Sequence, residues 1–125
     1  MNKVYLDNAA TTPIREEVIR EMVEVMSNDF GNPSSTHALG RIARTEIEKA
    51  RRTIAKLLNC TPAELFFTSG GTEADNMAIR CAIEDFGIKH AITTKIEHHA
   101  VGHTLEHLEK QGKIKLSYVD IDAKG

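Results

Sequence analysis

The chain has 125 residues, of which 41% are hydrophobic and 27% charged, a composition that excludes a disordered chain and suffices for one small domain. Its formal net charge of −2 gives no electrostatic basis for binding nucleic acid or a membrane surface. No apolar run approaches the roughly 20 residues of a transmembrane helix, and the start lacks an apolar signal-peptide core, so a cytoplasmic location is expected.

The first half of the sequence predicts two helices after an extended entry. "KVYLDNAATTP" (residues 3–13) predicts a short strand or extended segment that ends in a polar loop. Helical spacing of apolar residues predicts a helix from Ile14 to Met26. The turn formers of residues 27–36 predict a loop. A longer helix is predicted from about Thr36 to Leu58, with one apolar face and one charged face that we interpret as solvated.

The second half alternates strands with helices. This rhythm predicts βαβ units and a parallel sheet with right-handed crossovers, and therefore an α/β fold. Both faces of such a sheet need to be covered. The predicted elements are a strand at "ELFFTS" (64–69), a helix over Thr72–Phe86, a strand at "KHAITTK" (89–95), a helix over Ala100–Gln111 that Gly112 ends, and a strand at "KIKLSYVDI" (113–121).

A double glycine separates the first of these strands from its helix, in "FFTSGGTEADN" (66–76). Gly70 and Gly71 allow a close approach of the backbone to a ligand. Thr72 is a good N-cap residue, and Asp75 three positions later gives a near capping box. The free N–H groups of a helix start suit an anion such as phosphate. The segment is neither a Walker loop nor a dinucleotide fingerprint, so an anion site and an ordinary βα turn both remain open.

A histidine pair follows the next strand, in "TKIEHHAVGH" (94–103). His98 opens a helix there, at the same carboxyl edge of the sheet as the glycine turn, which is where open α/β sheets bind ligands. Its imidazole is suited to stacking on a planar ring or to moving protons near neutral pH. The alternative is an ordinary surface histidine.

The sequence favours no metal site. His99, His103 and His107 have the i, i+4, i+8 spacing of zinc ligands on one helix face. No cysteine or carboxylate from a second segment is placed to complete such a site, so we predict a solvated helix face. The two cysteines form no C-x-x-C pair, and we expect both to be reduced and structural.

Four segments in order resemble the amino-terminal part of the cysteine desulfurases, which are pyridoxal-phosphate enzymes. The resemblance covers essentially the whole chain. It implies a partial fold-type I (aspartate aminotransferase-like) large domain, with a mainly parallel sheet and flanking helices. It also implies an arm with helices over residues 1–60 and the first βαβαβ part of the cofactor-binding domain over 61–125, the rest of the fold being absent. The segments are "YLDNAATTP" (5–13), "FGNPSSTHALGR" (30–41), "FTSGGTEADNMAI" (67–79) and "KIEHHAV" (95–101).

The resemblance also implies roles for individual residues. Gly71 and Thr72 would bind the phosphate of pyridoxal 5'-phosphate, and His98 would stack on its pyridine ring and help proton transfer. The loops that contain Asn8 and Thr11, and Asn32, would lie on the substrate side. The full-length protein would convert L-cysteine to L-alanine and an enzyme persulfide, which supplies sulfur for iron–sulfur cluster assembly.

The same resemblance limits what residues 1–125 are expected to do alone. In the family, the Schiff-base lysine and the nucleophilic cysteine lie beyond the position of Gly125, and Cys60 and Cys81 do not resemble that cysteine. An amino-terminal fragment without desulfurase activity is therefore expected. Expected partners are L-cysteine, an iron–sulfur scaffold or sulfur-acceptor protein, and a second copy in a homodimer. Selenocysteine lyase, another fold-type I lyase or aminotransferase, and an inert binding module remain alternatives.

Overall fold

The computed structural model describes residues 4–124 and divides the chain into two compact units, which meet in the sequence at Leu65 and Phe66. The prediction that residues 61–125 belong to a cofactor-binding domain stays a prediction. Among the described residues, no helix combines the length and the apolar character that crossing a bilayer requires.

The first unit contains two helices, as the sequence predicts. Helix α1 spans Glu16–Asn28 and helix α2 spans Ala38–Leu57. A short 3-10 helix over Pro62–Glu64 follows. The loop before α2 packs tightly on it at Gly40, where an added Cβ would lie 2.5 Å from the carbonyl oxygen of Ser35. Only glycine fits that approach without movement of the backbone.

The second unit is built on a βαβ crossover. Strands β1 (His90–Thr94) and β2 (Lys115–Val119) pair in parallel, and helix α4 (His99–Lys110) connects them. Helix α3 (Gly71–Arg80) precedes β1 and packs on α4. The predicted alternation of helix and parallel strand is confirmed for these elements.

The core of the second unit lies between the two helices and the sheet. Its fully buried centre is Leu108, which is 0% exposed. Burying such a leucine side chain stabilises a fold by about 1.5–3 kcal/mol. Its members come from the segment after α3, from one face of α4 and from the start of β2: Ile83, Leu105, Leu108, Ile114 and Leu116.

One sequence prediction near the start of this unit is wrong. No strand forms at residues 64–69: Leu65 has an extended backbone (φ −104°, ψ 123°), but the sheet of the described residues pairs β1 only with β2. The helix predicted over residues 72–86 is confirmed in extent, since helical backbone runs without a break from Gly71 to Asp85. It changes after Arg80 to a π-helical turn over Cys81–Asp85, in which the N–H of Phe86 bonds to the carbonyl of Cys81 at 3.1 Å.

Candidate functional site

Helix α3 begins earlier than predicted. Its N-cap is Gly70, whose backbone is extended (φ 164°, ψ −179°), and not Thr72. The predicted capping box with Asp75 is also wrong. The acid that reaches back is Glu73, whose carboxylate accepts a hydrogen bond from the backbone N–H of Ser69 at 2.6 Å. The acid of a capping box stands three residues after the N-cap. With Gly70 instead of Thr72 as the N-cap, that position is Glu73 and not Asp75.

The start of α3 leaves hydrogen-bond donors available. The first N–H with a backbone acceptor in this turn belongs to Ala74, which bonds to the Gly70 carbonyl at 3.1 Å. The N–H groups of Gly71 and Thr72 precede it and have no helical acceptor. Within residues 4–124 the Thr72 hydroxyl has no hydrogen-bond partner, and a Cβ on Gly71 would meet nothing within 4 Å. The turn therefore presents donors to open space, which suits an anion.

Glu73 adds a negative charge to this turn. The hydrogen bonds from Ser69 lower the pKa of Glu73 below its ordinary value, because they favour the ionised carboxylate. An anion bound at the α3 N-terminus thus meets backbone donors and a neighbouring carboxylate together.

His98 is the N-cap of α4. Its Nδ1 accepts a hydrogen bond from the backbone N–H of Ala100 at 3.1 Å, and its carbonyl accepts one from Val101 at 2.9 Å. The side chain is exposed. Because Nδ1 acts as an acceptor in the cap, Nε2 is the ring nitrogen that can carry a proton and meet an external group.

A chain of hydrogen bonds connects the α3 turn with the α4 cap. Asn76 Nδ2 donates to the Thr72 carbonyl at 2.9 Å, and the Thr104 hydroxyl lies 2.8 Å from Asn76 Oδ1 and 2.7 Å from the Ala100 carbonyl. Ala100 in turn donates its N–H to His98. We call this series the 72–98 hydrogen-bond chain. The structure thereby brings the predicted residues Thr72 and His98 into one connected arrangement.

The contacts between α3 and α4 also fix their relative direction. Asn76 meets Thr104 about midway along the two helices, and Glu84, beyond the end of α3, bonds to Lys113, beyond the end of α4. The helices therefore run in the same direction, with both N-termini at the same end of the second unit. This agrees with the prediction that the glycine turn and His98 share one edge.

Three residues of this arrangement were missed by the sequence analysis: Glu73, Asn76 and Thr104. Glu73 stands four positions after Ser69, and Asn76 four positions after Thr72, which are spacings that allow a side chain to reach a backbone group one turn earlier. Those signals were available. The pairing of Asn76 with Thr104, 28 positions apart, had no local signal.

A separate cleft of about 430 Å³ lies at the carboxyl ends of β1 and β2, and neither Thr72 nor His98 lines it. The rings of His99 and His103 stack there with centroids 4.7 Å apart, and all three histidines of the predicted solvated face are exposed. No group of three or more His, Cys, Asp or Glu residues within 4–124 is arranged to hold a metal ion. The lining residues are Thr94, Lys95, Glu97, His99, Gly102, His103, Glu106 and Tyr118.

Both cysteines are free, as predicted. Cys81 begins the π-helical turn. Its hydrogen bond to Asp85, its burial and the charge of Asp85 raise the pKa of the Cys81 thiol. A raised pKa disfavours the reactive thiolate, so the environment of Cys81 is opposite to that of an activated nucleophile.

The predicted substrate-side residues lie in the first unit. Asn8 and Thr11 belong to an exposed turn, in which the Asp7 carbonyl accepts N–H groups from Ala10 at 3.1 Å and Thr11 at 3.4 Å. Asn32 Oδ1 accepts the N–H of Ser34 at 2.9 Å. These bonds account for local loop geometry, and the substrate-side roles stay predictions.

The chain is similar to several proteins with established names. The putative cysteine desulfurase IscS 1 of Bacillus subtilis strain 168 is 49% identical over 128 aligned residues, which cover 100% of this chain and 33% of that protein. The solved structure of a NifS-like protein superimposes with a TM-score of 0.83 and 40% identity, over 92% of this chain and 32% of that one. The structure of SspA in complex with cysteine superimposes with a TM-score of 0.79 and 35% identity, over 89% of this chain and 32% of that one.

The chain spans about a third of the length of the curated relatives that it matches. These similarities confirm the predicted resemblance to cysteine desulfurases and the predicted fold-type I α/β fold with a parallel sheet and flanking helices. The family model for class-V aminotransferases matches residues 4–125. The chain therefore belongs to the class-V aminotransferase family.

Proposed function

We propose that this chain supplies the phosphate-binding and ring-facing part of a pyridoxal-phosphate-dependent cysteine desulfurase. In the full-length protein, L-cysteine would be converted to L-alanine with an enzyme persulfide, as a source of sulfur for iron–sulfur clusters. The observation that carries this proposal is the 72–98 hydrogen-bond chain, since it joins a helix start with free N–H groups to an exposed histidine. The names of the similar proteins support the choice of reaction.

The residues present fit pyridoxal 5'-phosphate. Gly71 and Thr72 have free N–H groups beside open space, and the Thr72 hydroxyl is available as a further donor. These groups would hold the phosphate. The exposed ring of His98 would face the pyridine, with Nε2 available to hold or move a proton. When bound, the cofactor supplies an electron sink for the carbanion that forms when the substrate loses its α-proton.

The remaining parts of the proposal rest on the resemblance to the family. Asn8, Thr11 and Asn32 would belong to substrate-side loops. L-cysteine is proposed as the substrate, an iron–sulfur scaffold or sulfur-acceptor protein as a partner, and a cytoplasmic homodimer as the working form. A solved structural neighbour carries cysteine according to its name. Residues 1–125 alone are proposed to be inactive, because the lysine and cysteine of the reaction are expected elsewhere in the full-length protein.

The test uses the full-length protein supplied with pyridoxal 5'-phosphate. We expect a visible absorbance band that borohydride reduction removes, and release of alanine with formation of protein-bound persulfide when L-cysteine is added. Release of alanine from L-selenocysteine but not from L-cysteine would replace the proposal with a selenocysteine lyase. Absence of alanine from both substrates in protein that carries the cofactor would reject the desulfurase.

Variants of Thr72 test whether the cofactor phosphate is bound by residues of this chain. We expect Thr72→Val to weaken the retention of pyridoxal 5'-phosphate by roughly tenfold, since one hydrogen bond to a charged group is lost. Thr72→Ser keeps the hydroxyl and serves as the matched control. Equal retention in wild type and Thr72→Val would remove Thr72 from the phosphate site.

A further inference from the structure

We propose that Asn76 and Thr104 are positioning residues, which hold the N-terminal turn of α3 in a fixed geometry relative to His98. This inference rests on the proposed function, because it concerns the two groups that are proposed to meet the cofactor phosphate and ring. Neither residue is proposed to touch the cofactor.

The orientation of the Asn76 amide follows from its neighbours. Its nitrogen must face the Thr72 carbonyl, 2.9 Å away, because a carbonyl can only accept. Its oxygen is then the atom that faces the Thr104 hydroxyl at 2.8 Å. The reverse orientation would place two acceptor oxygens against each other at Thr72. The amide thus has one satisfactory orientation, and it requires a donor from α4.

Thr104 provides that donor from a buried position. The residue is only 7% exposed, so water has little access to replace its bonds. Its single hydroxyl proton faces two acceptors, Asn76 Oδ1 at 2.8 Å and the Ala100 carbonyl at 2.7 Å. A proton shared in this way connects α3 to the carbonyl of Ala100 in the first turn of α4, and the N–H of the same residue donates to His98 Nδ1.

Thr45 in helix α2 is a matched comparison for Thr104, because its hydroxyl also bonds to a carbonyl of its own helix. Thr45 Oγ1 donates to the Arg41 carbonyl four positions earlier at 2.8 Å, as Thr104 does toward Ala100, but among the described residues Thr45 has no cross-helix acceptor. A change at Thr45 therefore removes the same intrahelical bond without a link between helices. An effect of Thr104→Val that Thr45→Val lacks is therefore caused either by the burial of Thr104 or by loss of its hydrogen bond to Asn76.

The experiment measures hydrogen–deuterium exchange in the cofactor-free full-length protein for wild type, Thr104→Val, Thr104→Ser and Thr45→Val. We expect Thr104→Val to raise exchange roughly tenfold in both residues 69–76 and residues 98–104, since loss of one buried hydrogen bond corresponds to about that factor in local opening. Thr104→Ser should restore slow exchange, and Thr45→Val should leave both segments unchanged.

A purely structural role for Thr104 predicts a different result. Loss of packing alone would raise exchange throughout α3 and α4, including the core around Leu108, and Thr104→Ser would not restore it. Either that pattern or unchanged exchange in residues 69–76 would overturn the proposal. If Thr104→Val does not fold, Asn76→Ala breaks the same link from α3, where the side chain is only half-buried, and must give the same two-segment pattern.

Cofactor measurements separate this inference from the proposed function. In protein that binds pyridoxal 5'-phosphate, Thr104→Val should shift the visible absorbance maximum and weaken cofactor retention, while Thr104→Ser should not. Wild-type protein that binds no pyridoxal 5'-phosphate would reject the proposed function. The exchange data would still decide whether Asn76 and Thr104 couple the two helix starts.

Discussion

The carboxylate of Glu73 accepts a hydrogen bond from the backbone N–H of Ser69 at a distance of 2.6 Å. The bond closes the turn that leads into α3 and satisfies an N–H group just outside the helix. It also favours the ionised form, which is why the pKa of Glu73 is lowered. The stability of the turn must therefore depend on pH.

Replacement of Glu73 by glutamine tests this dependence. Because the folded-state pKa of Glu73 lies below its ordinary value of 4.5, its contribution is fully present above about pH 4.5 and is lost as the pH falls through the folded-state pKa. We expect Glu73→Gln to lower the Tm of the full-length protein by about 1 °C at pH 7, because this chain is only about a third of the length of its relatives and Tm shifts shrink with protein size, and by progressively less toward pH 3. The measurement is a series of thermal melts of both proteins across this range.

Glu64→Gln is a control for that titration, since hydrogen bonds from Thr61 lower the pKa of Glu64 in the first unit. Its Tm difference should shrink over the same acidic range. A Tm difference for Glu73→Gln that stays constant between pH 7 and pH 3 would contradict the role of the ionised carboxylate.

His98 caps α4 and is proposed to face the cofactor ring, and substitutions can separate these two roles. His98→Asn keeps a side-chain acceptor for the Ala100 N–H but removes the ring, whereas His98→Ala removes both. We expect His98→Ala to lower the free energy of unfolding by about 1 kcal/mol and His98→Asn to lower it by much less. Both variants should change the absorbance of bound pyridoxal 5'-phosphate and slow turnover sharply. Urea denaturation and visible spectra of the full-length variants provide the measurements, and an unchanged spectrum in His98→Asn would exclude the ring from the site.

Gly112 ends α4 with a positive φ of 69°. Its N–H bonds to the Glu109 carbonyl at 2.8 Å, and the next N–H, of Lys113, bonds to the Leu108 carbonyl at 3.0 Å. This geometry disfavours residues with a Cβ. We expect Gly112→Ala to lower the free energy of unfolding by about 1–2 kcal/mol, and Gly112→Asn by less because asparagine tolerates this region.

The matched control is Gly102→Ala in the same helix, where an added Cβ meets nothing within 4 Å and the backbone is helical. That substitution should not destabilise, because alanine is the better helix former. Urea denaturation at constant m-value measures all three variants. Equal losses for alanine and asparagine at Gly112 would show that its positive φ is not the cause.

Local sequence patterns predict those elements of the second unit well in which the patterned apolar residues are themselves the ones that become buried. The apolar spacing that leads to Leu108 and the alternation at Ile114 and Leu116 place these side chains in the core, so α4 and β2 were predicted within a few residues. The strand predicted at residues 64–69 was wrong for a physical reason: a strand requires a paired neighbour, and β propensity at the two phenylalanines does not provide one.

The candidate site was predictable only in part. Its two ends, Thr72 and His98, could be predicted because glycines, helix caps and strand ends leave local signals in the sequence. The connection between them could not be predicted, because Asn76 and Thr104 are 28 positions apart and their hydrogen bond depends on how two helices pack. The exact start of α3 was missed because a glycine N-cap without a side-chain bond competes with the threonine that the sequence favours.

The common direction of α3 and α4 has an electrostatic cost. Each helix carries roughly half a positive elementary charge at its N-terminus, and two such charges at the roughly 10 Å spacing of packed helices repel each other by about 0.1–0.4 kcal/mol, depending on the local dielectric. An antiparallel pair would gain a similar amount. The parallel pair thus concentrates positive potential at one edge of the second unit, and an anion bound there interacts favourably with both helices at once.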